Sequence, residues 1–300
     1  MSSPLVATII LNTNRREDTL ACLASLQQSL YPENKIIVLD NHSTDGSVEA
    51  ISAKYPQVQI VSLDKNLGYA GNNNVGINMA IDQRVDWVFV LNEDTILDPD
   101  CISSLIKVGQ GDPGIGVLGP MVYHYDEPEV IQSAGGMLGP YWDSIHLAKD
   151  EKDIGQYVSP HQVEWISGCA IMVRREAIEM VGPIDERFFY YWEETEWCLR
   201  IGKAGWRIFH VPAARLWHKG VQRDYHPKPS VTYYGTRNRL LMLAKHKAPL
   251  RIWIHAWLQI LRTLTSWTLK SKWRHMHEHR DAMWKGMADF ISGRWGQMSA

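Results

Sequence analysis

The segment VFVLNEDTILDPD, Val88 to Asp100, runs four apolar residues straight into Asn92, Glu93 and Asp94, with Asp98 and Asp100 just beyond. Carboxylates gathered at the end of a buried strand either form a solvated turn that caps the next helix or hold something positive. A second acidic cluster, FFYYWEETEWCLR, sets Glu193, Glu194 and Glu196 beside aromatic residues. It reads as the acidic first turn of a helix, favourable with the macrodipole. Burial there would move a carboxyl pKa toward neutrality. Arg200, one turn after Glu196, suits an ion pair that supports the helix.

Two further stretches carry polar groups at places where a ligand could sit. In VLDNHSTDGS a strand ends at Asp40 and Asn41, and a Ser/Thr/Asp/Gly turn leads into a helix. Asx-turn and cap chemistry accounts for Ser43, Thr44 and Asp45. A carboxylate at Asp40 could also accept hydrogen bonds from a nucleobase or ribose. In NLGYAGNNNVG, the spacing of Gly68, Gly71 and Gly76 does not match GxGxxG, and the chain has no P-loop, which weakens dehydrogenase and NTPase readings. A Gly/Asn-rich start to a helix can still offer backbone N–H groups to a diphosphate.

The elements that position these groups follow from periodicity. LVATIILN (5–12), KIIVLDN (35–41), VQIVSLD (58–64) and WVFVLNED (87–94) are short apolar runs that predict buried parallel strands. Helices are expected over 16–29, 47–54 and 71–82, and further on over 175–181 and 194–204. Strand alternating with helix implies an α/β fold, a doubly wound, mainly parallel sheet flanked by helices. Ligands of such sheets gather at the carboxyl ends of the strands. Here those ends carry Asn12, Asp40, Asn41, Asp64, Asn66 and Asn92 to Asp94. The strand rim from Thr8 through Leu11 to Asn12, together with Asp40, is expected to hold a nucleoside. From Gly111 to about residue 160 the chain is rich in Gly and Pro, which suggests loops and short strands forming the other wall of a cleft.

Composition bounds the rest. Three hundred residues, 45% of them apolar, suit one large α/β domain with an extension. A net charge of −2 argues against nucleic acid as partner. Cys22, Cys101, Cys169 and Cys198 are scattered with no CxxC spacing, so they read as reduced core residues in a cytosolic setting. The N-terminal apolar run is short and lacks a basic lead, the pattern of a first strand and not of a signal peptide.

Taken together, VATIILNTN, IIVLDNHSTDGS, NLGYAGNNNVG, VFVLNEDT and VEWISGCAIMVRREAIEMVGPIDERFFYYWEETEWCLRIGKAGWRI resemble the nucleotide-sugar-dependent family 2 glycosyltransferases of the GT-A fold, particularly rhamnosyltransferase-like members. The likeness runs over about residues 5 to 245. It implies an inverting transfer from a nucleoside-diphosphate sugar, with dTDP or UDP as carrier, to a saccharide or polyprenyl-linked saccharide in cell-surface polysaccharide synthesis. It also implies Mn²⁺ or Mg²⁺ bound by an Asp-x-Asp motif. Here the triplet is Asn92-Glu93-Asp94, so Asn replaces the first Asp; Asp94 is the expected ligand, Glu93 an aid, and Asn92 a donor contact. His218, in LWHKG, matches the histidine that completes the metal or diphosphate site. The base falls on Glu194, with Glu193 in reserve; Glu stands where the family more often has Asp. Asp185 and the turn Ser167–Ala170, including Gly168, are expected to shape the acceptor side. Trp165 and Trp192 could stack on a sugar ring or fill the core. Arg237 and Arg239 could grip a phosphate or form a solvated basic face.

The expected layout is a transferase domain over 1–245, with a nucleotide half to about residue 110 and an acceptor half after it, followed by a helical tail over 246–300. From Lys245 onward ten Lys/Arg face three Asp/Glu, and six of the 13 tryptophans follow residue 250. Trp253, Trp257, Ile260, Leu261, Leu264 and Trp267 recur at helical spacing, with Arg262 breaking the best apolar window. That pattern disfavours a spanning helix and suits one lying in a membrane surface over 250–285, or one packed on the body or a dimer partner. A peripheral position at the cytoplasmic face follows from the first case. His275, His277 and His279 do not make a convincing metal site. Two rivals differ in class: a sugar nucleotidyltransferase, which normally opens with a Gly-rich basic loop that LNTNRRED lacks, and a catalytically silent donor-binding scaffold.

Overall fold

The computed structural model describes residues 3–220 and 226–299. Its first hundred residues alternate as expected: β1 (Val6–Asn12), α1 (Arg16–Gln27), β2 (Asn34–Asp40), α2 (Ser47–Lys54), β3 (Gln59–Ser62), α3 (Gly68–Asp82) and β4 (Trp87–Asn92). The short β5 (Thr95–Leu97) and α4 (Cys101–Gly111) follow. The middle holds β6 (Ile115–His124), β7 (Ile131–Ser133), β8 (Gly136–Leu138), β9 (Ser144–His146), β10 (His161–Val163) and β11 (Ala170–Arg174). Then come α5 (Arg175–Val181), α6 (Glu193–Lys203), β12 (Arg207–His218), α7 (Pro229–Lys245), α8 (Leu250–Leu269) and α9 (His277–Ile291).

Among the described residues one ten-stranded sheet runs β10-β12-β6-β11-β4-β1-β2-β3, with β5 and β7 at its side. β1, β2, β3 and β4 pair in parallel, as their unbroken apolar runs imply. β11 enters antiparallel between β4 and β6, so the two halves of the chain share one sheet. Its two faces are buried in separate apolar clusters. One centres on Val6, Ile10, Phe89 and Leu118 under α1 and α4, the other on Ile9, Ile37, Val90 and Ile171 under α3 and α6. Strands covered on both faces favour side chains without polar ends; polar groups gather at the strand termini, with single exceptions such as Thr8 and His210 inside.

The tail packs on the body. Ile252 and Ala256 of α8 join Leu243 and Ala248 in a small buried cluster, with Trp253 packed against it. α9 crosses α7 closely enough that a Cβ on Gly286 would sit 2.7 Å from the Tyr233 carbonyl oxygen, a contact only glycine permits. Tyr233 donates to Asp289 (2.7 Å) across the same contact. Much of the stripe expected to meet a membrane therefore faces inward: Leu264 is buried and Trp253 is covered, whereas Leu261 faces out.

Candidate active site

The polar strand ends open into a cleft of about 1030 Å³. Leu11, Asn41, Asn66 and Gly68 line it from the β1–β3 side, Asn92, Glu93 and Asp94 from the end of β4, and Gly168 from the turn before β11. Glu193 and Glu194 enter from the start of α6, and His218 from the end of β12. The acids of the 88–100 segment thus divide by position. Glu93 and Asp94 face the cleft, while Asp98 accepts from the Asp100 amide (2.9 Å) in the turn before α4.

Asp94 and His218 meet because β5 pairs antiparallel with β12, setting Thr95 opposite His218. His218 Nε2 lies 3.1 Å from Asp94 Oδ1, and its Nδ1 lies 2.7 Å from Gln132 Oε1. Asp94 Oδ2 accepts from the Gly220 amide (3.1 Å), while buried Oδ1 has the His218 ion pair but no well-aligned hydrogen bond. Burial works against charge at His218, but neighbouring Cys169 and Asp94 outweigh it and raise the imidazole to about 10. Burial first, and Asp94 next, push Glu93 up to about 7. Asp94 itself is held low: burial opposes this, and the His218 ion pair overcomes it.

The group fits a divalent cation by donor type. Two carboxylates and an imidazole supply hard oxygen and nitrogen donors, and Asp94 Oδ1 is the buried, incompletely bonded atom that a cation would satisfy. Among the described residues no three acidic, His or Cys groups already converge. The remaining coordination positions would fall to water or a diphosphate, as suits Mn²⁺ or Mg²⁺. Two cations that the sequence reading missed, Arg15 and Lys219, line the same end. Arg15 lies three residues past the end of β1 and Lys219 directly follows His218, so nearness to the strand ends was the available signal.

Glu193 and Glu194 occupy the first turn of α6, where the acids suit the helix dipole. Burial raises both carboxyls, and the Glu194 charge adds to the rise at Glu193. Glu193 is 4% exposed and its Oε2 has no hydrogen-bond partner, so it is a carboxyl poised for a proton. Glu196 points elsewhere, into a buried network with Arg200 (3.1 Å), Lys245 (2.9 Å) and His246 (3.1 Å).

The approach to α6 is strained. Phe189, Tyr191 and Trp192 all have positive φ (62°, 69° and 74°), which non-glycine residues adopt only when held. The holding groups come from α7. Asn238 Nδ2 donates to the carbonyls of Phe188 (2.7 Å), Tyr190 (2.8 Å) and Tyr191 (2.8 Å). Arg237 Nη2 donates to Arg187 and Phe188 carbonyls, and its Nη1 to Gly296 of the tail (2.7 Å). From the other side, Gly68 (φ +74°) lies so near that a Cβ there would stand 2.3 Å from the Phe189 carbonyl oxygen. Phe189, Tyr190, Tyr191 and Tyr234 consequently form an aromatic wall beside Glu193 and Glu194, and Tyr69 donates to Gly168 across the floor. Of the segment FFYYW, the sequence points to Trp192 as a sugar platform, whereas Phe189, Tyr190 and Tyr191 are the residues that line the cleft.

The other expected contacts lie outside the lining. Thr8 is buried and donates to Asn34 Oδ1 (2.7 Å). Asn12 donates to Asp40 Oδ1 (2.8 Å) and accepts from Thr19, and Asp40 Oδ2 takes the Ser43 amide, so these groups close the β1 and β2 ends on each other. Gly71 packs under Leu67. The backbone N–H groups of Leu67 and Gly68 go to Asn72 and Asn66 side chains, which leaves them no phosphate to bind. Trp165 is core, its indole donating to Met137. Trp192 packs beside Phe188 and Leu241. Arg237 is fully buried as a brace, and Arg239 pairs with Asp143 (2.8 Å).

Residues 8–182 match the family described as Glycosyl transferase family 2. An N-acetylglucosaminyl-diphospho-decaprenol L-rhamnosyltransferase of Mycobacterium tuberculosis is 32% identical over 254 residues, covering 76% of this chain and 82% of the relative. The dTDP-rhamnosyl transferase RfbF of Shigella flexneri is 25% identical over 305 residues, 98% of each chain. Among solved structures, the mannosyltransferase PcManGT of Pyrobaculum calidifontis, in complex with GDP-Man and Mn²⁺, superposes with a TM-score of 0.60 at 14% identity, over 98% of this chain and 89% of that one. GalNAc-T7 with UDP, GalNAc and Mn²⁺ gives a TM-score of 0.65, over 97% of this chain and 58% of that one. The fold is accordingly GT-A-like, as the strand pattern and motif order anticipate. The chain is a glycosyltransferase and belongs to glycosyl transferase family 2.

Proposed function

We propose that this transferase moves rhamnose from a dTDP- or UDP-linked donor onto a sugar hydroxyl of a lipid-linked saccharide, with inversion at the anomeric carbon. The observation that carries the reading is the pairing, in one cleft, of a cation-type cluster with the carboxyl pair Glu193 and Glu194. The printed names of the relatives from Mycobacterium tuberculosis and Shigella flexneri support rhamnose as the sugar.

Glu194 takes the proton of the acceptor hydroxyl while the acceptor oxygen bonds to the anomeric carbon, and the bond from that carbon to the diphosphate breaks. A single displacement of this kind inverts the centre. Glu193 holds a proton beside it, which limits the negative charge in the pocket. Asp94, with Glu93 and His218, would hold Mn²⁺ or Mg²⁺, and a cation there would supply positive charge for the leaving diphosphate. Arg15 and Lys219 add positive charge at that end, and His218 becomes a ligand only on giving up its proton. Leu11, Asn41, Asn66 and Asn92 receive the nucleoside and donor sugar, and the Tyr190–Tyr191 wall with Gly168 receives the acceptor. The site of action is the cytoplasmic face of a membrane.

The test is release of dTDP or UDP from the matching rhamnose donor, with and without a polyprenyl-diphosphate-linked saccharide. Glu194→Gln should fold and bind nucleotide but lose turnover by about 10²-fold or more, the range of a lost general base. Near-normal turnover would reject Glu194 as the base.

A further inference from the structure

We propose that the outward face of α8 is a contact surface for an anionic lipid bilayer. Leu250, Ile254, Leu258, Leu261 and Leu269 are 74%, 51%, 60%, 60% and 76% exposed. At about 100° per residue these positions fall within one arc of the helix, roughly a third of its circumference. Ile252 and Ala256 lie on the opposite arc and are buried, and Leu264 is buried at the edge of the stripe. The helix is thus apolar on two faces, one satisfied by the body and one by nothing among the described residues.

The first four outward positions extend about 16 Å along the helix at 1.5 Å per residue. That is too much aligned aliphatic surface to be scattered single exposures. Basic side chains follow its edge: Arg251 and Arg262 are exposed beside the stripe, and Lys270 and Lys272 are exposed just past its end. From Lys245 onward ten Lys/Arg face three Asp/Glu, while the residues before it carry an acidic excess. Among the described residues no helix is long and apolar enough to cross a membrane. The stripe therefore suits a helix lying in the interface plane, aliphatic chains down and arginines at the headgroups.

Charge decides between a bilayer and a second copy of this chain. Two copies meeting through this stripe would bring basic flanks together and repel, whereas an anionic leaflet attracts each Lys or Arg. The inference rests on the proposed lipid-linked acceptor for its purpose only. Binding itself needs no catalysis, and nucleotide-induced stabilisation in the absence of vesicles tests the transferase reading separately.

The experiment is co-sedimentation of the full chain with phosphatidylcholine–phosphatidylglycerol vesicles and with phosphatidylcholine alone, at low and high salt. Binding is expected to the anionic vesicles and to weaken with salt. Leu258→Glu/Leu261→Glu should weaken it roughly tenfold or more, and Arg251→Glu/Arg262→Glu should abolish the preference for anionic lipid. Because these side chains are exposed, both variants should keep the melting temperature and the rate on a soluble acceptor. Absence of binding by the unaltered chain, or undiminished binding by the leucine variant, overturns the proposal. So does a dimer, seen by sedimentation equilibrium, that the leucine variant dissociates.

Discussion

Asn238 makes no contact with the cleft, yet its replacement should cripple transfer. Its side-chain amide serves three carbonyls of the loop that carries Tyr190 and Tyr191 and leads directly into Glu193. In Asn238→Ala, two to three hydrogen bonds of about 1 kcal/mol each are lost, and buried carbonyls are left unpaired at further cost. The total is about 2–5 kcal/mol. Against this stand three residues in left-handed backbone, each storing about 1 kcal/mol or more. Once the amide is gone, relaxing that strain offsets part of the loss, so the loop should move and not merely weaken. A displacement of about 1 Å at reacting groups can cost 10²-fold in rate. Steady-state kinetics should therefore show kcat down by about that factor, nucleotide affinity unchanged, and denaturant stability lower by a few kcal/mol. If kcat stays within about twofold while stability falls by the expected 2–5 kcal/mol, the amide supports the fold alone and the positioning argument is wrong. Asn238→Asp, which keeps the shape and removes the donors, should reproduce the kinetic loss.

Other consequences follow from the same geometry. Gly68→Ala should destabilise the protein by about 2 kcal/mol or more, because it adds left-handed strain to a clash with the Phe189 carbonyl; a melting curve and a donor-release assay would both register it. The raised carboxyl of Glu193 favours the folded state at acid pH, and that contribution is lost as pH rises from the ordinary carboxylate range through the folded pKa. Glu193→Gln should accordingly melt higher than the unaltered chain at alkaline pH and equally below about pH 4, where both are neutral; a gain at acid pH would reverse the sign argued here. The acid limb of kcat should likewise lie above the ordinary carboxylate range and vanish in Glu194→Gln, as a pH–rate profile would report.

The strands and helices of the first hundred residues were legible because each β-run is buried on both faces and each helix between them has its own stop. The helices expected over 47–54 and 175–181 fall on α2 and α5 residue for residue. The strand-end rule also located Asn92 to Asp94. It could not separate cleft residues from those that tie the strand ends together. Asn12 and Asp40 satisfy each other, a pairing across β1 and β2 that no local pattern announces. Large aromatics were ambiguous for a physical reason: Trp165 and Tyr190 have equal licence to be core or platform, and tertiary packing alone assigns them. Arg237 was misplaced likewise, since a buried arginine becomes stable only once Tyr233, Phe188 and Gly296 bring their oxygens to it. In the tail, helical spacing correctly signalled α8, but with apolar residues on two arcs it did not say which one faces the body.

The central claim, that the acids at the end of β4 bind a nucleoside diphosphate through a divalent cation, is tested most directly by thermal stabilisation. The full chain would be melted with dTDP, UDP, GDP and CDP, each with Mn²⁺, with Mg²⁺ and with chelator. Ligand at a hundredfold excess over Kd adds about 2.7 kcal/mol, several degrees for a domain of this size. The account predicts that dTDP or UDP raises the melting temperature with metal only, and that Asp94→Ala removes the effect. No shift with any nucleotide under any metal condition, or a full shift in chelator, would contradict it.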